Sequence, residues 1–195
     1  MQFTTEDVKK LRDQTGAGMM DAKKALQESA SIDEAVTYLR KKGHASLAKK
    51  SERTAKEGII TSYIHAGGKV GVLLELNCET DFVARNEDFM TLAKEIALHI
   101  AAAAPIYVSR DQVPEAAAEN EKNIYRDQIK GKPANMQEQI ISGKLEKFYE
   151  MVCLLDQPYV REPEKKVKDL VAETVGKLGE NIQVRRFTRF VLGSE

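Results

Sequence analysis

The sequence predicts an α+β fold. A small three-helix bundle comes first, then a core in which helices cover a small antiparallel sheet and carry a helical hairpin. Three observations predict it. Apolar residues recur at helical spacing through residues 8–39 and again after residue 86. Runs of β-forming residues are confined to a stretch near residues 58–78 and another at the C-terminal end. Aromatic residues make up 6% and tryptophan is absent, so the core must be built from Leu, Ile, Val, Ala and Met.

Lys+Arg and Asp+Glu both number 30 among the 195 residues. Zero net charge argues against a globally basic nucleic-acid binder, although not against a local patch. At 42% hydrophobic and 31% charged residues, the chain is too apolar to be disordered. No run approaches the ~18 consecutive apolar residues of a membrane helix. The N-terminus lacks the basic start and apolar run of a secretory signal. A cytoplasmic protein without membrane contact is expected. Cys78 and Cys153 suit neither a metal-ligand spacing nor a disulfide framework, and are expected as reduced thiols.

Thr5 is the expected N-cap of the first helix, with Glu6 and Asp7 in its first turn and Val8, Leu11 and Arg12 at helical spacing. Thr15-Gly16-Ala17-Gly18 breaks it, because two glycines so close suit a tight turn with positive φ. A second helix is expected from Met19 to Glu28, with Met19, Ala22, Ala25 and Leu26 on one side. Ser31 caps a third, with Glu34 as its capping-box partner, and Gly43 ends it. Ile32, Ala35, Val36 and Leu39 supply its apolar face. Residues 1–43 thus form a bundle, marginal by itself. Residues 44–57 read as an exposed linker, helical in part. Its Lys49, Lys50, Arg53 and Lys56 join Arg40, Lys41 and Lys42 in a basic stretch. That stretch is either a solvated face or a patch for RNA or an acidic partner.

Residues 58–195 form the core domain. Two β-forming runs, Ile59 to His65 and Lys69 to Cys78, flank Gly67-Gly68, which is a hairpin signal. Val72 to Leu76 is apolar on both sides, so this strand is central or covered by helices. A long helix from Asn86 follows, with Phe89, Leu92, Ala93, Ile96 and Ile100 on one face, and runs out at Pro105. Residues 114–151 form a helical hairpin broken at Gly131-Lys132-Pro133. Its first arm has Ile124, Tyr125 and Ile129 as anchors, and Ile140, Ile141, Leu145, Phe148 and Val152 line the return arm. A last helix from Glu164 to Leu178 stops at Gly179, and Ile182 to Leu192 is a closing strand that can join the sheet.

Chemistry-bearing clusters are scarce. His44, His65 and His99 make no metal-ligand spacing, and no cofactor or metal is expected. Gly16-Ala17-Gly18 lacks the Lys-Ser/Thr ending and preceding strand of a phosphate-cradling loop. Cys78 with His65 across the hairpin is the one conceivable nucleophile pair, without an orienting group or oxyanion donor. A buried structural cysteine is the simpler reading. Thr80-Asp81-Phe82 stands out, because a large aromatic follows a carboxylate where the chain leaves the sheet. Either Thr80 or Asp81 caps a short turn and Phe82 tucks inward, or Phe82 projects into a partner's pocket. Met19 and Met20 cannot both face a small core, so one is expected on the surface, where Met suits an adaptable binding site.

Two blocks carry a family resemblance. One runs from Leu11-Arg12 through Gly16-Ala17-Gly18-Met19-Met20 to Leu26. The other runs from Glu75 through Thr80-Asp81-Phe82-Val83 to Arg85. With Leu155-Asp156-Gln157-Pro158-Tyr159-Val160 and the order of elements, they make the whole chain resemble the bacterial translation elongation factor Ts family. The resemblance implies that residues 1–43 are a three-helix domain of the ubiquitin-associated type. It implies no enzyme, but guanine-nucleotide exchange on elongation factor Tu. The factor binds the GDP form, disturbs its magnesium and phosphate site, and stays bound until GTP enters. Thr80, Asp81, Phe82 and Val83 are then the stretch that approaches the magnesium site of the Tu G domain, with Phe82 as the wedge. Leu11, Arg12, Met19 and Met20 belong to an N-terminal contact with the same domain, and Tu's third domain is a further contact. Longer members carry a second copy of the strand–strand–helix unit. This chain shows one, so it resembles the short members expected to act as homodimers, with the final strand and the hairpin as candidate seams.

Three other classes have some footing. A ubiquitin-type adaptor explains residues 1–43 but not the block around Phe82. An RNA-binding factor rests on the basic stretch 40–56, against zero net charge and few aromatics, and direct nucleic-acid binding is not expected. A thiol enzyme would stand on Cys78 alone.

Overall fold

Three helices open the computed structural model, which describes residues 3–194. They are α1 (Thr5–Thr15), α2 (Met19–Gln27) and α3 (Ile32–Lys50). The cap of α1 is Thr4, one residue before the expected Thr5. The Asp7 N–H donates to Thr4 Oγ1 at 3.2 Å and the Thr4 N–H donates to Asp7 Oδ2 at 2.8 Å. A capping box needs its acceptor three residues on, which Thr4 finds in Asp7 and Thr5 does not find in Val8. Gly16, at φ 68°, ends α1 with its N–H on the Arg12 carbonyl. Ser31 caps α3 as expected, but the Glu34 carboxylate reaches back to the Ala30 N–H instead of that of Ser31. Leu11, Ala22, Ala25, Leu26 and Ala35 are the buried centre of this bundle.

Gly43 does not end the third helix. It is buried inside α3, and a Cβ there would stand 3.1 Å from the Ala172 carbonyl oxygen of α8 (Val167–Leu178). The glycine therefore permits close approach of two helices, with Gly176 opposite. The first half of the expected linker over 44–57 is the continuation of α3. Its basic stretch is partly neutralised. Arg40 and His44 both meet the Asp169 carboxylate, and Lys42 Nζ lies 2.6 Å from Asp21.

In the core, β1 (Glu57–Ile64) and β2 (Val70–Cys78) form the expected hairpin, with Gly67 and Gly68 at φ 90° and 68°. Strand β5 (Gln183–Val191) pairs with the other edge of β2, so the antiparallel order is β1-β2-β5 and β2 is central. Val72, Leu74, Leu76 and Cys78 point inward, where they pack with Phe89, Ile96 and Ile100 of α5 (Glu87–Ala103) and with Val171 and Val175 of α8. The alternation places Leu73 and Glu75 on the opposite face. β2 is central, and helices cover one of its two faces.

The hairpin consists of α6 (Glu115–Gln128) and α7 (Ala134–Val152). Ile129 is buried, but Ile124 is exposed, contrary to its expected anchoring role. Arg110 ties the base. Its Nε meets Asp156 Oδ2 at 2.8 Å, its two terminal nitrogens meet Glu146 at 2.7 and 2.8 Å, and its guanidinium lies over the Tyr149 ring. The last helix starts at Val167, not Glu164. The Lys166 N–H is held by Asp169 Oδ2 at 2.8 Å, and the residues before it form a two-stranded ribbon, β3 (Pro158–Tyr159) and β4 (Glu162–Lys166).

Candidate partner-binding surfaces

After Cys78 the chain leaves the sheet and makes a single turn, α4 (Asp81–Ala84). Thr80 is its cap, and its Oγ1 accepts the Val83 N–H at 3.4 Å. Ala84 is buried and Val83 half-buried against the core, which anchors one side of the turn. Phe82 lies on the other side and is 84% exposed. Thr80 caps the turn as the first alternative had it, but Phe82 does not tuck inward; it projects, as in the second. Asp81 and Arg85 flank it as an ion pair at 3.0 Å. Exposing a Phe side chain to this degree forgoes roughly 1.5–3 kcal/mol of burial.

The second surface lies at the α1–α2 turn. The αL turn at Gly16 folds the chain back, and α2 starts directly after Gly18. Ala22, Ala25 and Leu26 take the inner face of α2, and Met19 and Met20 are left outside, 47% and 74% exposed. One exposed Met was expected, and there are two. Arg12 is exposed and makes no ion pair among the described residues. Leu11 is the exception. It is fully buried in the bundle, so it offers no side chain to a partner and instead fixes the turn from within.

The glycine turn of the bundle packs on the core. Thr15 and Gly16 share a cleft with Asp88 and Thr91 of α5 and Lys177 of α8. Lys177 Nζ bonds Asp88 Oδ1 at 2.6 Å. The glycine turn of the bundle thus sits beside Asp88 in the first turn of α5. One residue near the Phe82 turn escaped sequence reasoning altogether. Glu180, in the loop between α8 and β5, binds the backbone of Glu79 and Thr80. It lies a hundred residues away, and no local pattern signals it.

The thiol reading loses its geometry. Antiparallel register sets Cys78 opposite Glu57 and Gly71 opposite Ile64, so Cys78 and His65 lie at opposite ends of the hairpin. The Cys78 Sγ–H donates to the Thr80 carbonyl at 3.1 Å. Burial, with the nearby Glu180 carboxylate, pushes its pKa up to about 11, so it stays a thiol at neutral pH. His65 takes the Tyr63 hydroxyl as neighbour at 3.2 Å. No group of three or more His, Cys, Asp or Glu suited to a metal occurs among the described residues. No helix among them is long and apolar enough to cross a membrane.

Comparison with known proteins agrees with the two blocks. The family model for elongation factor Ts matches residues 2–194. The elongation factor Ts of Thermodesulfovibrio yellowstonii is 59% identical over 195 residues, covering 99% of this chain and 98% of that protein. Those of Geobacter sulfurreducens and Thermotoga petrophila are each 54% identical, over 99% of this chain and 91% and 98% of theirs. A match of this length and identity leaves no segment of the core or bundle outside it, and the chain belongs to the elongation factor Ts family, the translation elongation factors of protein biosynthesis.

Proposed function

We propose that this chain is a guanine-nucleotide exchange factor for elongation factor Tu, working in the cytoplasm without covalent chemistry of its own. The observation that carries the reading is Phe82, an exposed aromatic on a capped turn whose other side is locked into the core. Thr80, Asp81, Phe82 and Val83 face the G domain of Tu near its magnesium site. Phe82 enters an apolar pocket there and shifts the segment that holds magnesium and the β-phosphate. Loss of magnesium removes the main charge that balances the phosphates. Arg12, Met19 and Met20 hold the same G domain in register, residues 1–43 acting as the docking module. The remaining surface of the core meets Tu's third domain.

Exchange of this kind is differential binding. Whatever factor the chain weakens GDP binding by, GDP weakens its binding by the same factor. Each ~1.4 kcal/mol of difference is tenfold in nucleotide affinity. One aromatic anchor supplies about 2–4 kcal/mol, so the second surface is needed to keep the nucleotide-free complex together until GTP enters.

A homodimer completes the reading. Ile60, Ile64, Leu73, Phe190 and Leu192 are exposed large apolar residues. Register puts the first four on the sheet face turned away from α5 and α8: Ile64 and Phe190 flank Gly71, Thr188 flanks Leu73, and Ile60 flanks Glu75. A bare apolar sheet face is a surface for packing against another sheet. The final strand, one of the two expected seams, supplies Phe190.

The test is release of fluorescent GDP from elongation factor Tu into excess unlabelled GDP. Acceleration by substoichiometric amounts of the chain is the expected result. An unchanged rate with folded protein and a cognate Tu contradicts the proposal.

A further inference from the structure

A four-residue helix cannot orient its own side chains, because nucleation fixes several dihedrals for each hydrogen bond gained. The direction of Phe82 must therefore be set from outside α4. The core packing of Val83 and Ala84 supplies one constraint, and Glu180 supplies a second at the N-terminal end of the turn. Its Oε2 accepts the N–H groups of both Glu79 and Thr80 at 3.0 Å. Its Oε1 accepts the Thr80 hydroxyl at 2.5 Å, and that same hydroxyl oxygen accepts the Val83 N–H. Glu180, Thr80 and Val83 thus form one polarised chain in which each bond strengthens the next. A carboxylate receiving three donors is strongly directional.

A return contact locks the pair of loops. Glu79 Oε1 accepts the Asn181 N–H at 2.7 Å and lies 3.5 Å from Arg53 Nη1. Asn181, fully buried, donates through Nδ2 to the Arg53 carbonyl at 2.7 Å. Each loop therefore presents a glutamate to the backbone of the other, and the chain leading out of α3 is stitched to both. The elements held this way are those on either side of the wedge: the exit of β2 below it and the entry to β5 beside it.

We propose that Glu180 is a positioning residue for exchange, fixing through Thr80 the angle at which Phe82 projects. The inference rests on the reading of Phe82 as the wedge. A wedge that is pre-oriented loses less freedom on insertion, so its burial goes into displacing the nucleotide site.

The experiment is a double-mutant cycle on the GDP release rate at saturating chain, with Glu180→Ala, Phe82→Ala and the pair. Glu180→Ala is expected to lower the plateau rate about tenfold, and to add nothing in the Phe82→Ala background. Amide hydrogen exchange should rise at Glu79, Thr80 and Val83 and stay as in the parent within α5. Glu180→Gln keeps an acceptor for the two N–H groups and is expected to recover most of the rate. It also serves if Glu180→Ala folds poorly. A loss that multiplies equally in both backgrounds overturns the role of Glu180, as does an unchanged plateau in both Glu180 variants while Phe82→Ala is slow. An unchanged plateau in Phe82→Ala itself overturns the wedge and Glu180 with it.

Discussion

Replacing Phe82 with Ala separates function from stability. The side chain is 84% exposed, so its removal opens no cavity, and Ala is a better helix former than Phe. Thermal stability should stay within about 0.5 kcal/mol of the parent. The loss appears only against the partner. Burying a Phe in an apolar pocket is worth about 2–3 kcal/mol, and at 1.4 kcal/mol per decade this is a drop of about 30- to 150-fold in accelerated GDP release. Affinity for nucleotide-free Tu should fall less, because Arg12, Met19 and Met20 still hold. Stopped-flow release of fluorescent GDP over a range of chain concentration measures both, the plateau reporting the wedge and the half-saturation point the docking. A folded Phe82→Ala protein with the parent's plateau would refute the reasoning. So would a large fall in melting temperature, which would mean that Phe82 belongs to the core.

Glycines at two helical positions should respond with opposite signs. Gly43→Val drives a branched side chain into the Ala172 carbonyl, 3.1 Å from the Cβ alone, and should cost about 1–3 kcal/mol in thermal denaturation. Gly143→Ala in α7 meets nothing within 4 Å and should stabilise by about 0.5–1 kcal/mol. Glu in place of both Leu73 and Phe190 should leave the fold intact and give a monomer by sedimentation equilibrium. A dimer that persists would move the seam off the sheet face. At Asp169, burial pushes the carboxyl up, but the Lys166 N–H, Arg40 and His44 outweigh it and hold it below the usual carboxylate value. A lowered folded pKa stabilises above the unfolded value of about 4 and is lost as pH falls through the folded one. Asp169→Asn should therefore show a deficit in denaturant stability at pH 7 that shrinks in acid, and a deficit constant down to about pH 2 would contradict the pairing.

What could be read in the sequence was what short-range physics decides. The β1–β2 hairpin follows from Gly67-Gly68, the start of α5 from Asn86, and one exposed methionine of Met19-Met20 from the limited inner face of α2, which in the structure leaves both outside. The misreadings share a cause. Gly43 looked like a stop because its partner, Ala172, is far away in sequence, and a glycine at a helix crossing looks locally like one at a helix end. Ile124 looked like an anchor because helical spacing does not say whether a third element is present to cover it. The ribbon β3–β4 was absorbed into the last helix, whose start is set by the Asp169 carboxylate on the Lys166 N–H. At the Phe82 turn a cap at Thr80 or Asp81 was legible, but Glu180 was not, since the tertiary fold alone brings it to that loop.

The central claim is that this chain prefers elongation factor Tu without nucleotide. Titration calorimetry of the chain into nucleotide-free Tu and into Tu·GDP at equal magnesium tests it most directly. The account predicts tighter binding to the nucleotide-free form, by the same factor as the chain weakens GDP binding in the reciprocal titration. Equal affinity for the two forms would contradict it, because a ligand that does not distinguish two states shifts neither.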